Sequence, residues 1–380
     1  MKALDLPAML ADLEILVSCE SFSADHAALS RSADVVTAMG ARHLGAEPER
    51  IVLSGVPHLR WTFGTPRMLL LGHHDTVWPV GTLATHPWSV TDGTARGPGV
   101  LDMKGGLVQM FHALASLPSR DGIRVLVSGD EELGSPTSAE LIAQSVRGCV
   151  AAFVLEASAD AGGALKTARK GTSRYEIVVH GRAAHAGLEP ADGVNAAVEV
   201  AHQVLAIAGL TAAAGSADGA LGATTITPTL LSAGCTRNTV PALATVAVDV
   251  RAPNQAAQDR IDGLIRGLTP RLRGARLAVE GGKRRPPMEP GASAELFALA
   301  AEIAAALGQE PLRGLAVGGA SDGNYTAGAG CPTLDGLGAV GCGAHADTEW
   351  VAVAQMLPRT RLLAELVERT RRHESTEETS

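Results

Sequence analysis

Aromatic side chains are scarce in this 380-residue chain, at 3% of the sequence. With so few large rings the core has to be built mainly from Ala, Val and Leu, and 43 glycines imply many tight turns. Cysteine is sparse as well: Cys19, Cys149, Cys235, Cys331 and Cys342 are scattered, with no Cys-x-x-Cys pair. Such a thin, odd-numbered set argues against a disulfide framework and fits reduced thiols in a cytoplasmic protein. There is no basic cluster, and a formal net charge of -8 with pI near 5.8 argues against nucleic acid as a partner. No apolar run is long enough to span a bilayer, and the start, Met1-Lys2-Ala3-Leu4-Asp5-Leu6-Pro7, lacks the apolar stretch of a signal peptide. Internal repeats and low-complexity segments are also missing. The polar tail, 373–380, is expected to be disordered.

What is present points to two domains, since the length exceeds that at which single cores stop growing. Helical spacing of Leu, Val and Ala runs over about 7–20, 25–44 and 104–117. Short apolar runs at 68–71, 123–127 and 151–155 predict strands buried on both faces. Strands alternating with helices at this spacing imply a largely parallel sheet. The segment 79–99, rich in Pro, Gly and Thr, is too long for a bare connector. From 173 the rhythm becomes strand–helix–strand–strand–helix–strand, the order of a ferredoxin-like module. Gly281-Gly282-Lys283-Arg284-Arg285-Pro286-Pro287 reads as the hinge leading back. The expected division is 1–172, an inserted 173–285, and 286–380 rejoining the first part.

In open α/β sheets the chemistry sits beyond the carboxyl ends of the strands. The first buried run is followed by Gly72-His73-His74-Asp75-Thr76-Val77-Trp78. Asp130, Glu131 and Glu132 follow the second and Glu156 the third. Asp102 precedes a helix in Gly99-Val100-Leu101-Asp102-Met103-Lys104-Gly105-Gly106, and His345 comes late, in Gly343-Ala344-His345. One such residue alone is an ordinary loop residue. Several converging on one sheet edge make a negative cluster that divalent cations would neutralise. His74, between His73 and Asp75, should face the other way. Cys342 is a further possible thiolate ligand, with a small core residue as the plainer reading. His26, His43, His58, His86, His112, His202 and His373 have no motif around them and read as bystanders.

These motifs, in this order over nearly the whole chain, resemble the co-catalytic dizinc metallopeptidases and deacylases. That family includes glutamate carboxypeptidase, acetylornithine deacetylase and succinyl-diaminopimelate desuccinylase. The matching motifs are His73–Val77, Asp102–Gly106, Glu131-Glu132 before Leu133-Gly134-Ser135, Gly318–Gly323, and His345. The resemblance implies a zinc-peptidase-like, mostly parallel sheet flanked by helices, with an inserted ferredoxin-like lid and dimerisation domain. It implies that His73 and Glu156 hold one Zn2+, Glu132 and His345 a second, and Asp102 both, with Co2+ or Mn2+ also suited. A water or hydroxide would bridge the two ions. Asp75 would orient His73, and Glu131 would be the general base. A cis peptide is implied at Asp102-Met103. In the inserted domain His185, in Ala183-Ala184-His185-Ala186-Gly187, would stabilise the oxyanion, supplied across a homodimer in relatives. Asn238, Arg251, Lys166, Arg285, Gly319 and Ser321 would contact substrate. The expected activity is metal-dependent amide hydrolysis removing a C-terminal, glutamate-type amino acid from a peptide or N-acyl amino acid. The alternatives are an N-acyl-amino-acid deacylase with another substrate and, remotely, a non-catalytic metal- or ligand-binding protein.

Overall fold

The computed structural model describes residues 2–213 and 221–377. The chain divides into two compact units: 1–168 with 290–317 and 321–380, and 169–289 with 318–320.

The first unit is built on a six-stranded sheet in the order Glu49–Leu53, Val56–Phe63, Ile123–Ser128, Met68–His73, Ala151–Val154, Thr333–Leu334. The last four are mutually parallel and the first two join antiparallel at one edge. Side chains alternate across a strand, and the run at 68–71 shows why it can be apolar throughout. Met68 and Leu70 enter one core with Phe111, Val125 and Phe153, while Leu69 and Leu71 enter another with Leu126, Ile142 and Val154. Helices α1 (Leu6–Ser18), α2 (His26–Leu44) and α3 (Gly105–Ser116) cover the first of these faces. Asp25 caps α2, accepting the N–H groups of Ala27 and Ala28. The four parallel strands point the same way, so His73, the 129–132 turn and Glu156 all leave the sheet at one edge.

The second unit has the strand order Thr225–Ala233, Leu243–Ala252, Gly171–His180, Arg276–Arg285, with every neighbour antiparallel. Tyr175, Ile177 and Val179 point into a core with residues of the helices Ala196–Ala213 and Gln255–Arg266. This is a ferredoxin-like arrangement.

Two local expectations change, and a third gains detail. The 79–99 segment holds a hairpin, Ser89–Thr91 with Thr94–Arg96, continued by Trp350–Ala352 and Gly341–Cys342 into a small sheet. The stretch 281–285 continues a strand instead of forming a hinge: Gly281 and Gly282 take positive φ yet stay paired with Tyr175 and Arg174, and the register slips only between Lys283 and Arg285. The last helix, Val353–Glu377, runs into the polar tail, and just before the tail Glu368 pairs with Arg371 and Arg372 at helical spacing. Residues 378–380 lie outside the described part. Among the described residues no helix is long and apolar enough to cross a membrane.

Candidate metal centre

His73 closes its strand with its side chain buried. Its Nδ1 lies 3.0 Å from the backbone oxygen of Asp75 and 3.4 Å from Asp75 Oδ1. A ring N–H donated there leaves Nε2 as the ligand atom. Nε2 is 3.3 Å from Asp102 Oδ1 and 3.7 Å from Glu156 Oε1. His345, in the left-handed region at φ 66, brings Nε2 to 3.3 Å from Asp102 Oδ2 and 3.2 Å from Glu132 Oε2. Asp102 therefore shows one carboxylate oxygen to each histidine. The peptide bond after it, Asp102-Met103, is cis.

Asp75 has a second task. Its Oδ1 accepts the N–H of Glu131 at 3.2 Å, and its Oδ2 accepts the N–H of Glu132 at 3.1 Å and the Ser23 hydroxyl at 2.8 Å. The carboxylate that neighbours His73 thus also fixes the turn bearing the paired acids. His74 turns away: Nε2 is 3.0 Å from the Pro57 carbonyl and Nδ1 3.2 Å from Ser32 Oγ. Burial pushes its pKa down to about 4, so it is a neutral ring in the interior.

The electrostatics are those of a cation site. Burial pushes Glu132 up to about 7, against its hydrogen bond with His345, and the Asp102 charge adds to the rise. Its Oε1 is buried with no hydrogen-bond partner among the described residues. His345 is held up at about 10 by its hydrogen bonds to Asp102 and Glu132. Burial acts to raise Asp102, but its hydrogen bonds with His345 and His73 win and hold it well below the carboxylate range. Two groups of ligand atoms lie within 4.8 Å of one another: His73, Asp102 and Glu132, and His73, Glu131 and Glu156. Carboxylate and imidazole donors with an orphaned buried oxygen fit a pair of divalent cations. Glu131 is close enough to join them. Cys342 is exposed and belongs to no such group among the described residues.

Not every expected contact has the form foreseen. Lys166 enters the cluster itself, with Nζ 3.5 Å from Glu156 Oε2. Asp130 turns inward and accepts Thr137 N and Thr137 Oγ1, both at 2.7 Å. Ser321 is buried, and its hydroxyl is donated to Asp335 Oδ2 at 2.7 Å, which makes it a clasp for its own loop. In the second unit Arg169 donates to the Gly319 carbonyl at 2.9 Å. Arg251 lays Nε and Nη2 on Asp249 at 2.7 and 3.1 Å, so its fork grips a neighbour on the same strand. Arg285 is buried at its strand end. His185 and Asn238 come from loops that pair with each other: Ala186 N donates to Asn238 O at 2.9 Å, and His185 bridges Thr239. The His185 Nδ1 accepts the N–H groups of Gly187 and Leu188, each at 3.1 Å, which puts the ring proton on exposed Nε2.

Two positioning residues escape a sequence reading. Glu349 is fully buried and accepts Gly99 N at 3.0 Å, Leu101 N at 2.8 Å, Asp102 N at 3.1 Å and Trp78 Nε1 at 2.9 Å. Asp322 accepts the Ser128 hydroxyl at 2.8 Å and also that of Ser135, tying the ends of the 129–134 turn. Only closeness to His345 in sequence could have flagged Glu349. Asp322 falls within the Gly318–Gly323 motif, in which Gly319 and Ser321 are the residues expected to meet substrate.

Comparison with known proteins supplies the context. The family model described as peptidase family M20/M25/M40 matches residues 69–369. Carboxypeptidase G2 of Pseudomonas sp. (strain RS-16) is 30% identical over 95% of this chain and 89% of its own. Succinyl-diaminopimelate desuccinylase of Methylorubrum populi is 29% identical over 95% and 97%. Among solved structures, the M20 family metallo-carboxypeptidase Sso-CP2 of Sulfolobus solfataricus superposes with TM-score 0.73 at 16% identity, covering 94% of this chain and 98% of that one. A dinuclear metal binding peptidase from Bacillus subtilis gives 0.63 at 14% identity, covering 95% and 97%.

Proposed function

This chain belongs to the peptidase family M20/M25/M40, and we propose that it is a two-metal carboxypeptidase removing a C-terminal, glutamate-type amino acid from a peptide or N-acyl amino acid. The observation that carries the two-metal assignment is Asp102, with one oxygen toward His73 and the other toward His345. His73 and Glu156 would complete one position and Glu132 and His345 the other, with zinc the first choice and cobalt or manganese compatible. Divalent ions held there supply Lewis acidity to the scissile carbonyl and to the attacking water.

The protein's own side chains do the rest. Glu131, its backbone held by Asp75, takes the proton of the attacking water and returns it to the leaving amine. The Nε2–H of His185 is the donor for the developing oxyanion, its tautomer set by Gly187 and Leu188. Asn238, on the paired loop, is the second polar contact. Arg251 and Arg285 would be the cations that meet a substrate carboxylate. Arg251 would have to exchange Asp249 for it.

The similarity to carboxypeptidase G2 supports the carboxypeptidase reading, and glutamate as the released residue rests on the motif resemblance alone. The similarity to a desuccinylase of nearly equal identity keeps a second reading open, deacylation of an N-acyl amino acid. Metal-loaded protein assayed against N-acyl-glutamates, folate-like glutamates and N-succinyl diamino acids separates the two. The expected outcome is hydrolysis of a glutamate amide that EDTA abolishes and added metal restores. Turnover of the succinyl substrate alone would transfer the assignment to the deacylase reading.

A further inference from the structure

Outside this centre, helices α1, α2 and α3 each contribute one side chain to a second cluster. Asp12 of α1 is 5% exposed. Its Oδ2 lies 2.6 Å from Nε2 of His43 on α2 and 2.9 Å from Nε2 of His112 on α3. Its Oδ1 is held by Arg42. The two imidazole rings are 4.3 Å apart between centroids and tilted by 49°. Two ring nitrogens on separate helices thus aim at the same carboxylate oxygen, and all three atoms fall within 4.8 Å of one another.

We propose that Asp12, His43 and His112 form an independent site for one zinc-class divalent ion. Two imidazoles and a carboxylate are the donor set of three-ligand zinc sites, and imidazole selects against magnesium and calcium. Metal–ligand bonds of about 2.0–2.1 Å in a tetrahedron put donor atoms about 3.3 Å apart. The two carboxylate–imidazole separations, 2.6 and 2.9 Å, need to open by well under 1 Å, within the reach of small side-chain rotations. Arg42 stays on the other carboxylate oxygen and fixes the orientation of Oδ2, as outer partners of metal ligands do. Both histidines line a cavity of about 400 Å³, together with Lys2, Asp5, Arg42 and Arg120, which offers room for a fourth ligand. Three cationic groups there favour an anion, or water, as the fourth ligand. An ion that binds only when α1, α2 and α3 are packed together stabilises the fold by mass action.

The alternative is a metal-free staple, in which the imidazoles only hydrogen-bond the buried carboxylate. To separate the two, chelator-stripped wild type, His112→Gln and His43→Gln are saturated with Zn2+, desalted, and assayed for metal per chain. Both variants should bind one equivalent less than wild type, whatever number the first centre holds, and keep hydrolytic activity at saturating metal. Equal stoichiometry in wild type and variants overturns the proposal. Should those variants not fold, the first centre is removed instead. Under Co2+ titration a His73→Ala, His345→Ala double variant should still show one visible-absorption step, with a rise in Tm at that step. In that double variant, a complete lack of both signals also overturns the proposal.

Discussion

Glu349 has no exposed surface, and its charge is held by three backbone N–H groups of the turn carrying Asp102 and by the Trp78 indole. Through these bonds it joins the segments that follow His73, contain Asp102 and follow His345. Partners that orient metal ligands are worth roughly 10–100-fold in metal affinity. Glu349→Gln keeps the size but turns an NH2 group toward N–H donors. We therefore expect it to weaken divalent-ion binding by about that factor while the protein stays folded, as measured by competitive titration against a chromophoric chelator. Unchanged affinity would reduce Glu349 to a packing role. At this scale the residues of the candidate metal centre were legible, because His73, Asp102, Glu131-Glu132 and His345 sit in compact motifs. Glu349 was not: three of its partners are backbone groups 247 to 250 positions away, and a backbone N–H leaves no mark in a sequence.

Among the elements, α3 must approach the end of the Ala151–Val154 strand closely, and Gly106 is where it does so. A Cβ at Gly106 would lie 2.0 Å from the Leu155 carbonyl oxygen, a backbone atom with little room to retreat. Helix propensity alone says that Gly106→Ala should stabilise by about 1 kcal/mol. The clash says otherwise, since overpacking typically costs about 1–3 kcal/mol. We expect a net loss of stability of that order in denaturant unfolding, and a gain would refute the close approach. The long buried strands and the amphipathic helices could be read from periodicity. The hairpin at 89–96 and the strand at 341–342 could not, since two or three residues are too few to show a period of two.

For the molecule as a whole, the second unit carries apolar side chains that its own core does not cover. Leu188 is 77% exposed and Leu230 73%, with Leu205, Leu231 and Leu243 also exposed. Leucines left in water at this density favour association with a further apolar surface. The homodimer through this unit, implied by the family resemblance, would supply one. Sedimentation velocity at micromolar concentration should give twice the 38.9 kDa chain mass. A monomer would remove the route by which His185 could act on a partner's site.

The central claim is that one of the two adjacent acids is the base and the other a ligand. The geometry makes this a close contest, because Glu131 lies within ligand distance of His73 and Glu156 as Glu132 does of His73 and Asp102. Glu131→Ala, assayed for both turnover and bound metal, decides it. A fall in kcat of about 10²–10⁴-fold is expected, the usual worth of a general base, with metal content unchanged. A variant that keeps wild-type kcat, or that loses an ion, would contradict it.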